Sequence, residues 1–545
     1  MKKRKIVSAL LAMLLTFSAV SCSTTDEPSS DSSLDSTLSM EGSESSEDTP
    51  FTMPKYIPTW TSVNQHNTGG TAPEWFMDAK FGIYFHWGPY CVPAFGSEWY
   101  PKLMYDVETG NYANHVKKYG DPFTEWPYHY FITGAEDKQG NWVEFAPKLK
   151  SEGGEFDPEE WAQLFLDAGA KFAGPVAEHS DGWSNWDSEV NEWNAVDMGP
   201  HLDLVGLLTD AIREKGLKTL VTLHHAYGIN GDYFTNAPLQ EDPSLQKLYC
   251  QLPWDQESEL WLEKCKEVID QYQPDLIWHD SGIWKVDEAT RLEFLAYYYN
   301  KEEEWGKEVV VTSKGGFSED SNVQDYERGG PADITENYWL TDDSLSPWTW
   351  CYTEGTRYYT PQHIIHTLAD RISKNGNLLL NILPKADGSI PQNQKDILLA
   401  VGDWLKKNGE GVYATRAWEV FGEGPTQLGG GDFQEMKTGT AQDIRFTRTK
   451  DNTTLYAIVL GWPGDGAVLN IQTLAEGRID LSSLTSVQLI GAAAGEYIDL
   501  SYTQTAEGLA VTMPDTMPCE EDAYMLKLSF SGEIPPLTPV STPAE

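Results

Sequence analysis

Asp275-Leu276-Ile277-Trp278-His279-Asp280-Ser281-Gly282 is a short apolar run that stops abruptly on polar residues and a glycine. A run of this length, closed by a turn signal, reads as a buried strand. Working outward, the same pattern recurs at Phe81 to Trp87, Phe172 to Glu178, Leu220 to His224, Val309 to Thr312 and Leu378 to Ile382. Longer segments of helical period lie between these runs. Asp157-Pro158-Glu159-Glu160 reads as an N-cap followed by proline in the first turn, with Trp161, Leu164, Phe165 and Ala168 as the apolar face. A second helix runs from Leu202 or Asp203 to Lys215 and stops at Gly216, a residue suited to a C-cap. Strands alternating with helices predict a parallel sheet with crossover helices, and the fold class expected is α/β, a (β/α)8-type (TIM-like) barrel.

Beyond Asn408-Gly409 the pattern changes to alternating strands at Ile444 to Thr447, Leu455 to Val459, Val487 to Ile490 and Ala523 to Leu528, separated by Gly, Asp and Asn turns. That predicts a C-terminal antiparallel β-sandwich. The domains expected are the barrel at 53–415, the sandwich at 416–531 and a disordered, Pro-rich tail at 532–545.

The N-terminus has its own signature. Met1-Lys2-Lys3-Arg4-Lys5 precedes an apolar run from Ile6 to Val20, which is short for a bilayer span and reads as an export signal over 1–21. Ala19-Val20-Ser21-Cys22 looks like a lipoprotein cleavage box, with Cys22 as the lipidated first residue of the mature chain. The stretch that follows, to residue 52, is rich in Ser, Thr, Asp and Glu and reads as a disordered acidic tether. The expectation is an exported lipoprotein at the cell surface or the periplasmic face of a membrane, touching lipid only through its anchor.

The 545 residues include 39 Lys and Arg against 83 Asp and Glu, a net charge of -44, which argues against a nucleic-acid partner. Five cysteines besides Cys22 (Cys91, Cys250, Cys265, Cys351 and Cys519) are scattered and odd in number, so they suggest buried thiols rather than a zinc site or a disulfide framework. The 21 Trp residues suit a bulky core, and some of them suit sugar platforms.

Active sites of (β/α) barrels lie at the C-terminal ends of the strands. Four consecutive strand ends here are polar: His86-Trp87-Gly88, Glu178-His179-Ser180-Asp181-Gly182, His224-His225 and Trp278-His279-Asp280-Ser281-Gly282. Retaining glycoside hydrolysis needs a carboxylate nucleophile and a second carboxyl about 5–5.5 Å away. Asp280, at a strand end with Ser281-Gly282 turning the chain away, fits the nucleophile; capping the next helix is its plain alternative. His224-His225 and the pair His363 and His366 have no carboxylate or Cys at ligand spacing, so no metal is expected. Gly429-Gly430-Gly431 reads as a turn between domains, without the strand-to-helix setting of a phosphate loop.

Several of these stretches resemble glycoside hydrolase family 29, the α-L-fucosidases. They are Lys80 to Gly88 with Ser97-Glu98-Trp99-Tyr100, Glu178 to Trp183, Trp193 to Pro200, Asp275 to Gly282, Asp325-Tyr326-Glu327-Arg328-Gly329 and Asn375 to Asn381. Asp443 to Thr447 and Ala523 to Leu528 are similar to that family's sandwich. The resemblance implies a retaining exo-α-L-fucosidase that needs no cofactor and takes a fucosylated glycan or oligosaccharide as substrate. It implies Asp280 as nucleophile, and His86, Glu98, Trp99, His179 and Trp278 as sugar contacts, with His224 and Lys314 as further contacts at strand ends. Glu327 is the acid/base expected from the matching region, with Asp325 and Glu336 as rivals. Two positions depart from the family pattern. His179-Ser180 stands where paired histidines are common, and Lys314 stands where Arg is common, which leaves open another galacto-configured sugar. A non-catalytic fucose-binding surface lectin is the alternative of a different class.

Overall fold

The computed structural model describes residues 54–67, 72–434 and 437–539; the signal at 1–21, Cys22 and the tether to 52 lie outside the described residues. Eight strands close into a barrel: β1 Phe81–Phe85, β2 Phe172–Glu178, β3 Lys218–Leu223, β4 Leu276–His279, β5 Val310–Ser313, β6 Val323–Asp325, β7 Trp339–Ser344 and β8 Gly376–Ile382. Each pairs in parallel with its sequence neighbours, and β8 pairs with β1. Six coincide with the apolar runs, to within two residues at either end. β6 and β7 escape that reading because Val-Gln-Asp is short and Trp-Leu-Thr-Asp-Asp-Ser is half polar.

The crossover helices begin and end as their caps dictate. In α1 (Pro158–Asp167) the Asp157 carboxylate accepts from the backbone N–H groups of Glu159 and Glu160. Asp203 caps α2 (Leu204–Glu214) through the N–H of Gly206, and the chain leaves α2 at Gly216 with φ +76°. Further helices on the outside are α3 (Trp254–Tyr272), α4 (Glu288–Trp305), α5 (Pro361–Ile372) and α6 (Gln392–Asn408).

The barrel interior is a packed core. Phe76, Tyr84, Phe172, Val176, Leu220, Leu276, Trp278, Val310, Leu340 and Leu379 form one buried cluster, while the alternate strand residues Val221, Leu223, Ile277 and Val311 face the helices. Burying each such aliphatic or aromatic side chain contributes about 1.5–3 kcal/mol.

Two antiparallel sheets follow. One has six strands: β9 Thr415–Glu423, β10 Ile444–Thr449, β11 Thr454–Val459, β17 Tyr524–Phe530, β13 Leu484–Ile490 and β14 Tyr497–Asp499, in that spatial order. The other has three: β12 Val468–Ile471, β16 Gly508–Thr512 and β15 Tyr502–Thr505. Their inner faces meet in one apolar cluster that includes Leu455, Ala457, Ile471, Leu509 and Leu526, which makes a sandwich.

Two expectations need correction. The tail was expected to be disordered from 532, yet Ile534 is buried and its N–H donates to Asn452, while the N–H of Leu537 donates to Glu419 and that of Thr538 to the Arg478 carbonyl. Apolar burial and these bonds outweigh the Pro-rich composition as far as 538. Gly429-Gly430-Gly431 does not separate the domains: it lies in the β9–β10 loop, between the two antiparallel strands that open the sandwich.

The junction between barrel and sandwich is buried and polar. Arg445 Nε of β10 donates to Asp370 Oδ1 of α5 at 2.9 Å, and Trp404 Nε1 of α6 donates to the Ala523 carbonyl at 2.9 Å. His366 accepts from the Gly439 N–H at 3.0 Å and donates to the Asp522 carbonyl at 2.8 Å. Cys91, Cys250, Cys265 and Cys351 are buried thiols and Cys519 is partly buried; all five are free. Among the described residues no helix is long and apolar enough to cross a membrane.

Candidate active site

Side chains alternate across a strand, so the direction of a residue just past a strand end is set by those two and four positions earlier. In β4, Leu276 and Trp278 point into the barrel while Ile277 and His279 point out, His279 resting on Trp261 and Phe294. Asp280 inherits the inward direction and reaches the mouth. The same parity leads from Tyr84 to His86, from Leu220 to His224 and from Val310 to Lys314. Glu178 breaks it. The register between β2 and β3 shifts between Val176 and Glu178, and this bulge turns the carboxylate away from the mouth. Glu178 there meets His225 Nδ1 at 2.7 Å and Lys264 Nζ at 2.8 Å, in a fully buried cluster.

A cavity of about 440 Å³, including its open mouth, sits at the C-terminal ends of the strands. Asp280, Glu327 and Lys314 line it together with His86, His179 and His224, and Glu98, Trp99 and Trp278 complete the set expected from the sequence. Tyr84, Tyr227, Ser281, Asp342 and Trp350 also line it and escaped the sequence reading. Tyr84 could have been found from its inward parity two residues before His86. Asp342 and Trp350 belong to the unread β7 and its following loop. Of the rival carboxyls, Asp325 is buried below the cavity and Glu336 is exposed, lining a separate groove with Glu319 and Asn337. Ser180 does not line the cavity; its hydroxyl donates to the His224 carbonyl at 3.1 Å.

Lys314 is the electrostatic centre. Its Nζ lies 3.1 Å from Asp280 Oδ1, 3.0 Å from Glu327 Oε2 and 3.2 Å from Asp342 Oδ2, and Tyr84 donates to that same Asp342 oxygen at 3.0 Å. Sharing one ammonium confines the Asp280 and Glu327 oxygens to within roughly 6 Å of each other, close to the separation of about 5–5.5 Å used by retaining glycosidases. The two carboxyls are driven apart in proton affinity. Burial alone would raise Asp280, but Lys314, His224 and the Ser281 N–H hold it well below the usual carboxylate range. Burial, reinforced by Asp342 and Asp280, pushes Glu327 up to about 7 despite Lys314. The site therefore offers an ionised carboxylate beside a carboxylic acid.

Three imidazoles form one wall. The His86 and His224 rings stack 5.2 Å apart, and His179 meets His86 at 5.4 Å and His224 at 5.0 Å. Burial drives all three well below the ordinary histidine value, His224 to about 3, so each is a neutral ring able to donate and accept. His86 Nδ1 is oriented by Asn381 Oδ1 at 2.7 Å. Glu98 accepts from the Trp350 N–H at 2.9 Å, and Trp99 packs on Tyr227 and Tyr233.

Among the described residues two groups have the composition of metal ligands: His86 with His179 and His224, and His225 with Cys250 and Glu257. The second already has its cations, since His225 Nε2 meets Glu257 at 3.0 Å and Lys264 is 2.8 Å from Glu178. The first faces the cavity, where neutral imidazoles suit sugar hydroxyls.

Fold and site together define a barrel glycoside hydrolase. The family models "Alpha-L-fucosidase" and "Alpha-L-fucosidase C-terminal domain" match residues 44–410 and 437–529. Tissue alpha-L-fucosidase of Rattus norvegicus is 31% identical over 505 residues, covering 87% of this chain and 92% of that protein; the Homo sapiens protein is 29% identical over 501 residues, with the same coverage. The crystal structure of Thermotoga maritima alpha-fucosidase in complex with fucose superposes with a TM-score of 0.66 at 28% identity, covering 87% of this chain and all of that one. The chain belongs to the α-L-fucosidase family, glycoside hydrolase family 29.

Replacing Lys314 by Met would leave Asp280, Glu327 and Asp342 facing one another without a cation. Asp280 and Glu327 would then ionise at higher pH in the folded state than in the unfolded chain, a cost that is absent below the ordinary carboxylate range, grows as the pH rises from that range toward the raised values, and is constant above them. We expect Lys314→Met to cost about 3 kcal/mol at pH 7.5 and much less near pH 4.5, measured by thermal unfolding at both values. A pH-independent loss would contradict this electrostatic role.

Proposed function

We propose that the protein is a retaining exo-α-L-fucosidase that removes terminal α-L-fucose from glycans by way of a covalent fucosyl-enzyme. The observation that carries this reading is the common ammonium contact, which holds an ionised Asp280 and a protonated Glu327 within roughly 6 Å. Asp280 attacks the anomeric carbon as the glycosidic C–O bond breaks, and Glu327 gives its proton to the departing oxygen. Glu327, now a carboxylate, takes a proton from water; that water attacks the same carbon and Asp280 leaves. The neutral imidazoles of His86, His179 and His224 would bond ring hydroxyls, and the indole faces of Trp278 and Trp350 would pack on the C–H face and methyl group. A fucose-binding lectin would need neither the second carboxyl nor its raised proton affinity.

For the N-terminus we infer export and lipidation at Cys22, from the basic start, the apolar run and the Ser21-Cys22 box. Cys22→Ser should move the protein from the membrane pellet to the soluble fraction on fractionation; unchanged partitioning would sink the lipid anchor.

Asp280→Ala should lower kcat on an aryl α-L-fucoside by roughly a thousandfold or more while the protein stays folded by circular dichroism. NMR of the native reaction should show α-L-fucose as the first product. A β first product would remove the retaining mechanism, and a retained rate in the variant would remove Asp280.

Because Glu327 must carry a proton to act as acid, kcat/KM should fall as the pH rises through about 7. Asp280 stays ionised far below that, so no acid limb from it is expected above pH 4. A profile flat to pH 9, or an alkaline limb that persists in Glu327→Ala, would count against the assignment.

A further inference from the structure

We infer that the β9–β10 loop of the sandwich belongs to the catalytic apparatus of the barrel, its segment Gly430–Phe433 acting as a strap that positions Glu327. This rests on the reading of Glu327 as the general acid. Both backbone polar groups of Glu327 are taken by the strap: its N–H donates to Asp432 Oδ1 at 3.1 Å, and its carbonyl accepts from the Phe433 N–H at 2.7 Å. Three residues on, Gly330 and Gly431 exchange N–H to carbonyl bonds of 3.1 and 3.0 Å, an isolated antiparallel bridge. The opposite edge of the same segment is held by β7, where the Arg328 N–H reaches the Asp342 carbonyl at 2.8 Å and the Gly329 N–H reaches Thr341 Oγ1 at 3.3 Å. Residues 327–330 are thus laced between a barrel strand and a loop that the sandwich sends back to the mouth.

The local chain is shaped for this approach. A Cβ on Gly329 would come within 2.1 Å of the Gly431 carbonyl oxygen, so only glycine lets the strap close. Gly431 has φ +111°, and Phe433 has φ +55° with its side chain 65% exposed. A left-handed Phe costs about 1–3 kcal/mol, and the exposed ring offers little burial to offset it; what the conformation achieves is the bond to Glu327. Beyond the strap, Arg371 Nη2 of α5 ties the Gln434 carbonyl at 3.1 Å. The connection from Gly424 to Asp443 is far longer than a hairpin needs. Placement of the acid is the property at stake, since an error near 1 Å in a reacting group can cost about a hundredfold.

The test compares kcat/KM on phenyl α-L-fucoside, whose leaving group needs the proton, with 2,4-dinitrophenyl α-L-fucoside, whose leaving group departs without it. Asp432→Ala removes the acceptor, and Gly431→Pro removes the bridging N–H and forbids its positive φ. Each should lose roughly tenfold more on the phenyl than on the dinitrophenyl substrate. Asp432→Asn, which keeps a side-chain carbonyl, should hold the native ratio. Equal losses on both substrates, no loss, or an Asn variant that matches Ala would overturn the strap. If Gly431→Pro does not fold, the Asp432 pair decides alone. Glu327→Ala is run beside them: if it spares the dinitrophenyl substrate and azide restores turnover, the acid assignment stands whatever the strap does, and if it loses equally on both, that assignment fails first.

Discussion

The ammonium of Lys314 is the point around which the cavity is organised. Three carboxyls from β4, β6 and β7 converge on it at 3.0–3.2 Å. At an effective dielectric near 20, each such contact is worth about 5 kcal/mol of gross attraction, most of it offset by desolvation. What survives is geometry: an ammonium is a compact charge that three carboxyls can approach at once, and here it donates to Glu327 with Asp280 and Asp342 as ion-pair partners. A guanidinium would present a planar fork suited to pairing with one carboxylate face to face. The lysine that looks like a departure from the family pattern is therefore matched to a cluster of three acids. The cluster also sheds charge. Glu327 and Asp325 both resist ionisation, chiefly through burial and through Asp342 beside them, so one cation suffices for what would otherwise be a heavily anionic pocket.

A different device governs the sugar-facing imidazoles. Neither ring nitrogen of His224 has a hydrogen-bond partner among the described residues, although the ring is buried. Its place is fixed from behind. Ser180 bonds its carbonyl, and the next residue, His225, is clamped between Glu178 and Glu257. Two acids and two bases close that cluster, His225 and Lys264 against Glu178 and Glu257, so its charges balance without solvent. Rigid backbone behind and unsatisfied nitrogens in front leave His224 to spend its hydrogen bonds on a ligand.

How far the sequence foretold this follows from parity. Where an apolar run marked the strand, as in Leu276-Ile277-Trp278, its polar end fell at the mouth, so Asp280, His86 and His224 were legible as strand ends, while Lys314 was expected from the family resemblance. β6 and β7 were not, because Asp325 and Asp342 occupy inward positions that apolar residues fill elsewhere, and the signal used to detect a strand was the one the site had replaced. Asp342 was missed with its strand. Glu178 shows the converse: it ends an apolar run as Asp280, His86 and His224 do, and a bulge that local sequence does not announce turns it away from the mouth.

The Gly429-Gly430-Gly431 run was misplaced as a turn between domains for a related reason. Glycine in a loop signals conformational freedom, and a turn between domains is the economical reading of it. The second half of the message lies about a hundred residues upstream, in Gly329-Gly330, where a Cβ on Gly329 would meet the Gly431 carbonyl and one on Gly330 would meet the Trp339 ring. Each run alone is ambiguous; together they describe two backbones that must approach closely. The buried Arg445–Asp370 pair and His366, which bonds both Gly439 and Asp522, fix the sandwich against α5 at the base of that loop. A rigid junction there and a glycine-cleared contact at the tip let the second domain hold one carboxyl of the first, without contributing any side chain to the cavity itself.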